Sequence, residues 1–186
     1  MRSPLKSPLK NKKIVLGVTG SIAVYKACEL LRAFKKSGAD VFCMMTPGAQ
    51  KFVTPLTFGA LSGNPVATDI WDEKLWQMAH IAMASKADLV LIAPASANTL
   101  ARLASGFSDD VIGATVLATQ APVLIAPAMH QEMWNNPATQ TNVKKLKTFG
   151  MHFVGPEQGE LLGSYGWGRF SDPEKILQAA EKLLVK

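Results

Sequence analysis

The feature that most constrains this chain is a set of short apolar runs, uninterrupted by polar residues and separated by stretches of helical spacing. Lys13–Val18, Asp40–Met45, Ala87–Ala93 and Pro122–Pro127 read as strands, and Ala87–Ala93 is the most apolar of them. A strand wetted on one face alternates polar with apolar residues, whereas a continuous apolar run is covered on both faces. Between the runs, helical spacing predicts helices over Ile22–Lys36, Ala97–Ser105, Asp110–Thr119, Pro137–Phe149 and Pro173–Leu184. Gly38 and Gly150 stop two of these. Shorter helices are expected at Ala49–Phe52 and Thr54–Gly63, an edge strand at Val66–Asp69, a short segment at His80–Ser85 and a strand at Phe153–Val154. Strands buried on both faces and alternating with helices form a parallel sheet. Right-handed crossovers then give a doubly wound α/β fold, flavodoxin- or Rossmann-like. The 186 residues suit a single domain.

A net charge of +6 raises the question of a nucleic-acid partner. Arg2, Lys6, Lys10, Lys12 and Lys13 all lie in an acid-free start; setting these five aside leaves the remainder at +1. The excess belongs to a tail with a near repeat, Ser3-Pro4-Leu5-Lys6 and Ser7-Pro8-Leu9-Lys10, which reads as a flexible arm over 1–12. No nucleic-acid surface is expected. Neither a membrane span of about 20 apolar residues nor a signal-peptide core is present. Cys28 and Cys43 have no metal or disulfide spacing, which fits a cytoplasmic protein.

In a doubly wound sheet, ligands sit at the carboxyl ends of the strands. The loop after the first strand is Gly17-Val18-Thr19-Gly20-Ser21-Ile22. Its glycines let backbone approach a ligand, its hydroxyls can bond one, and the next helix presents unpaired N–H groups. It matches neither G-x-G-x-x-G nor a Walker A loop, so a phosphate site and a tight turn capped by Ser21 are both open. Thr46, after the second strand, could reach the same phosphate or cap a helix that opens at Pro47. Pro94-Ala95-Ser96-Ala97-Asn98-Thr99 offers small residues beside a flat ring with polar groups for its edge, or simply a capped helix start. Ala126–Trp134 places Met129, His130, Met133 and Trp134 beyond a strand end, where binding competes with ordinary core packing. His80 is either a structural histidine or a proton carrier, and His152 has no evident partner.

In order and spacing, several segments are similar to the homo-oligomeric flavin-containing cysteine decarboxylases. These are the Gly17–Ala23 loop, His80-Ile81, Ala87-Asp88, Pro94–Thr99, Gly106 with Asp109-Asp110, and Pro127-Ala128-Met129 with Met133-Trp134. The resemblance runs from Lys12 to the end and implies an FMN-binding domain over 13–186. It implies decarboxylation of 4′-phosphopantothenoylcysteine to 4′-phosphopantetheine, on the route to coenzyme A. It also implies His80 as acid/base, with Met129, His130, Met133 and Arg169 at the substrate and His130 sharing in catalysis. Gly20, Ser21, Ile22, Thr46, Pro94, Ala95, Ser96, Ala97, Asn98, Thr99 and Met129 would hold FMN, with Ser108 and Asp109 near the flavin or a subunit contact. Metal is not expected. A homo-oligomer is implied, a trimer or a trimer-based dodecamer, in some proteins fused to a synthetase domain.

Two departures stand out. His130 replaces the usual Asn, and either side chain can hydrogen-bond a carboxylate. The glycine-rich flap Gly159–Arg169 lacks the Cys that many members use to protonate or reduce the intermediate, leaving Ser164 and Tyr165 as candidates. A peptidyl-cysteine oxidative decarboxylase would need no such Cys. A flavin prenyltransferase on a similar fold fits the Met-His loop and Trp134 less well. A non-catalytic regulatory flavoprotein draws support only from the tail.

Overall fold

The computed structural model describes residues 7–71 and 79–185. The elements run β1 (Lys13–Val18), α1 (Val24–Lys36), β2 (Asp40–Met45), α2 (Pro47–Gln50), α3 (Pro55–Ser62), β3 (Val66–Ala67), α4 (Ala79–Lys86), β4 (Leu89–Ala95) and α5 (Ala97–Ala104). They continue with α6 (Val111–Ala118), β5 (Val123–Pro127), α7 (Gln131–Asn135), α8 (Pro137–Thr148), β6 (His152–Phe153), β7 (Glu157–Leu161), β8 (Ser164–Arg169) and α9 (Pro173–Leu184). Six strands form a parallel sheet in the order β3-β2-β1-β4-β5-β6. The chain works outward from β1 to β3 and then returns to the other side of β1 with β4. The switch point between β1 and β4 opens a crevice at their carboxyl ends.

The apolar runs are covered on both faces, as their composition requires. Ile14, Leu16 and Val18 of β1 join one core layer with Leu30, Leu31 and Phe34 of α1 and Ile176 of α9. Val15, one residue out of phase, joins the other layer with Leu100, Ile112 and Leu146. All seven residues of β4 are buried. On α1, Val24, Ala27, Leu30, Leu31 and Phe34 fall on one face, which is why the helix lies along the sheet. No helix among the described residues is long and apolar enough to cross a membrane.

Three regions differ from the expectations. Residues 7–12 form a turn whose Leu9 is fully buried in the core, so this part of the expected arm is packed. Arg2, Lys6 and the first Ser-Pro repeat lie outside the described residues. The segment at His80 is a helix that buries Met83 and Ala84. The glycine-rich flap is an antiparallel hairpin, β7 on β8, closed by a two-residue turn at Leu162-Gly163.

Candidate functional site

Thr19 joins the two loops at the switch point. It is fully buried; its Oγ1 donates to the Pro94 carbonyl at 2.8 Å and accepts the Ser96 N–H at 2.9 Å. Its hydroxyl is therefore spent on the scaffold and positions Gly20 and Ser96. On the other side, Gly20 meets Gly48: a Cβ at Gly20 would lie 3.2 Å from the Gly48 backbone. Two chain segments can approach this closely because neither carries a side chain.

Two adjoining cavities open here and share Gly20 and Ser96. The larger, about 530 Å³, is bounded by Ser21, Ala97, Met129, His130 and Met133, by the outer face of α1, and by the β7–β8 hairpin. The smaller, about 430 Å³, is lined by Thr46, Gly48, Asn98, Thr99, Arg102 and Asp110 among others. Several hydroxyls expected at a ligand already cap helices. Thr46 accepts the Ala49 N–H at 3.3 Å, with Pro47 opening α2. Ser96 accepts the Thr99 N–H at 3.3 Å at the start of α5. Ser21 instead accepts the Ala23 N–H and donates to the Ala128 carbonyl, both at 3.3 Å, in the turn before α1, which begins at Val24 rather than at Ile22 with Ala23 at its N-cap. A capping oxygen keeps further lone pairs, and a hydroxyl keeps its proton, so capping and ligand contact can coexist. Pro94 and Ala95 line neither cavity; they support the site through carbonyls, Ala95 accepting from Ala128 N–H at 3.0 Å.

His130 caps α7 with its ring: Nδ1 accepts the Glu132 N–H at 3.4 Å. In the neutral ring that places the proton on Nε2, which lies 3.2 Å from Ser164 Oγ on the hairpin. The hairpin is tied to the same loop twice more. Met129 N–H donates to the Gly168 carbonyl and Trp167 N–H to Gln131 Oε1, each at 3.0 Å. The sequence showed a glycine-rich flap; the structure adds that it roofs the Met129–Met133 loop.

Both arginines of the cleft are committed. Arg169 bonds Glu157 at 2.6 Å and Asp172 at 3.2 Å, while Lys175 holds the other Glu157 oxygen at 2.9 Å. Burial opposes the charge on Arg169, but the bonds to Asp172 and Glu157 outweigh it and push the guanidinium above its ordinary range. Arg102 is ion-paired with Asp109 and Asp110. His80 lies half-buried on α4, lines neither cavity, and has a buried Nδ1 without a hydrogen-bond partner among the described residues. Ser108 is exposed and also lines neither, although its neighbour Asp109 lines the smaller. Sequence reasoning missed Tyr25, Lys26 and Phe52 on the wall of the larger cavity. The signal available was the i, i+3, i+4 spacing of Ile22, Tyr25 and Lys26 directly after the glycine loop.

A doubly wound α/β fold with a cleft of this size at its switch point defines a nucleotide- or cofactor-binding protein. The chain matches the family described as Flavoprotein over residues 2–185, and it belongs to that family. It is 45% identical over 173 residues to the coenzyme A biosynthesis bifunctional protein CoaBC of Haemophilus influenzae, covering 92% of this chain and 43% of that protein. The Escherichia coli protein of the same name is 44% identical over 174 residues. The chain thus spans less than half the length of the curated relatives it matches. Among solved structures, the FMN-dependent cysteine decarboxylase SpaF has a TM-score of 0.82 at 32% identity, covering 95% of this chain and 97% of that one. A cysteine-to-serine mutant of PPC decarboxylase, complexed with pantothenoylaminoethenethiol, has a TM-score of 0.84 at 28% identity, covering 95% and 100%.

Proposed function

We propose that the chain binds FMN in the joined cavities and, so loaded, decarboxylates 4′-phosphopantothenoylcysteine to 4′-phosphopantetheine in coenzyme A synthesis. The observation that carries this reading is the hairpin-roofed cavity that sets Met129, His130 and Met133 against Ser96 and Ala97. Relatives named for coenzyme A biosynthesis and a structural neighbour named PPC decarboxylase support it. The donor set suits the cofactor. Met129, Met133 and Ala97 give apolar walls for a flat ring, while Thr46, Thr99, Asn98 and the Gly20–Gly48 backbone give neutral donors for a phosphate end. Bound FMN would supply a two-electron acceptor that turns the substrate's CH₂–S into C=S, leaving the carboxylate beta to an electron sink.

The chain's own residues bind, orient and exclude water. His130 Nε2–H donates to Ser164 in the closed hairpin and to the substrate carboxylate when substrate displaces Ser164. Ser164, 3.2 Å from the His130 ring, is the residue we assign as donor for reprotonation in place of Tyr165, for which no hydrogen bond to that ring is found among the described residues. Arg169 roots the hairpin through Glu157 and Asp172, and its share in substrate binding is by lining the cavity. His80, which faces neither cavity of its own chain, would serve the cleft of a neighbouring copy in the expected trimer. The flap without Cys favours one second reading, an oxidative decarboxylase that stops at the enethiol.

One assay separates these. The FMN-loaded protein is given the substrate, and CO₂ and thiol products are measured. Equimolar CO₂ and phosphopantetheine over many turnovers support the proposal. CO₂ limited to one turnover per flavin without oxygen, with an enethiol product, supports the second reading. No CO₂ despite bound FMN refutes both.

A further inference from the structure

The larger cavity is lined by two fixed cations, Lys26 and Arg169. Arg169 is committed to Glu157 and Asp172. The Lys26 ammonium lies 6.0 Å from the Tyr25 ring and is paired with no carboxylate among the described residues. At that distance a cation–π contact is at its outer limit and leaves the charge available. Glu160 of the hairpin lines the same cavity and disfavours an anion, so an anionic group bound there requires a cation.

The wall around Lys26 is apolar and open. Ile22 and Tyr25 on α1, Phe52 after α2 and Leu162 at the hairpin tip all line the cavity, and each is more than half exposed. An exposed apolar wall ending in an unpaired ammonium fits a branched aliphatic chain that ends in an anion. The reacting carboxylate is assigned to His130, which lines the same cavity. We propose that Lys26 is the specificity-determining residue of the cleft and binds the terminal phosphomonoester of the substrate. This rests on the function proposed above. Lys26 does not line the smaller cavity, so it is not assigned to the cofactor's phosphate.

The test uses the FMN-loaded full chain and Lys26→Met, with phosphopantothenoylcysteine and its dephosphorylated form as paired substrates. The expected result is a roughly 30-fold fall in kcat/KM for the phosphorylated substrate, carried by KM, the loss of one charge-assisted contact. The dephosphorylated substrate is unaffected, FMN content is unchanged, and Lys26→Arg restores most of the preference. Calorimetric titration with unreactive 4′-phosphopantothenate and pantothenate shows the same selective loss. Equal losses on both substrates, no loss on either, or loss of FMN overturns the proposal. A wild-type protein that releases no CO₂ overturns the parent function instead, and the calorimetry still decides Lys26.

Discussion

At the residue scale, His130 combines two jobs that its sequence position did not reveal. It caps α7 through Nδ1 and reaches the hairpin through Nε2. Asn is among the best N-caps, so His130→Asn keeps the helix start and an N–H for a carboxylate. We expect that variant to retain FMN and to decarboxylate within several-fold of wild type. His130→Ala removes both groups. It should lose about 1 kcal/mol of stability and at least about tenfold in kcat/KM, read by thermal denaturation and CO₂ release. The cysteines behave oppositely. Burial pushes the Cys43 thiol up to about 12, and burial also raises Cys28. Neither cysteine lines either cavity, and Cys43 is fully buried in the core, so neither replaces the missing flap Cys. A thiol reagent at pH 8 should leave Cys43 unlabelled until denaturant is added, and Cys43→Ala should leave turnover intact.

At the element scale, strands and helices of the sheet were legible because burial on two faces writes itself into composition. The expected and observed bounds of β1, β2 and α9 coincide. The hairpin was not legible as strands. Glu157–Leu161 has no apolar alternation, and in Ser164–Arg169 the alternating aromatics Tyr165 and Trp167 are the exposed face while Gly166 and Gly168 are the buried one. Their pairing is fixed by tertiary bonds to Met129 and Gln131, which no local pattern encodes. The same logic hid the use of Thr19, whose hydroxyl looked ligand-facing but is a buried strut. It also predicts which hairpin glycine matters most. Gly168 has φ +131°, and a Cβ there would collide with the Met129 carbonyl, a backbone atom. At Gly166 the Cβ would meet the Gln131 side chain, first its terminal amide, and no backbone atom is among its nearest neighbours. Gly168→Ala should therefore open the hairpin, at a cost of roughly 2 kcal/mol, and expose it to rapid limited proteolysis. Gly166→Ala should be milder: Gln131 can swing away at the cost of its bond to Trp167, while the Met129–Gly168 backbone bond stays. Equal protease sensitivity of the two variants would count against this account.

At the scale of the whole molecule, the site and the stability of the switch point lie at opposite ends of the same two strands. The carboxyl ends of β1 and β4 hold the cleft, joined by Thr19. Their amino ends are joined by Asp88, which accepts the Lys13 N–H at 2.8 Å and pairs with the Lys12 ammonium at 3.0 Å. Partial burial alone would raise the Asp88 pKa, but the Lys13 N–H and the Lys12 charge outweigh it and hold the carboxyl below its usual range. A carboxyl depressed in the folded state stabilises the fold fully above its unfolded pKa of about 3.9, and that contribution fades as pH falls through the lower folded value. Asp88→Asn removes this linkage while keeping an acceptor for the Lys13 N–H. Its stability should be lower than wild type at pH 7, and the gap should close as pH falls through the depressed folded value of Asp88. Urea unfolding from pH 7 down to the acid limb measures the convergence. Because Asp88 is remote from both cavities, FMN affinity at pH 7 should not change. A parallel loss of FMN would mean that the two ends of the switch point are coupled rather than separately held.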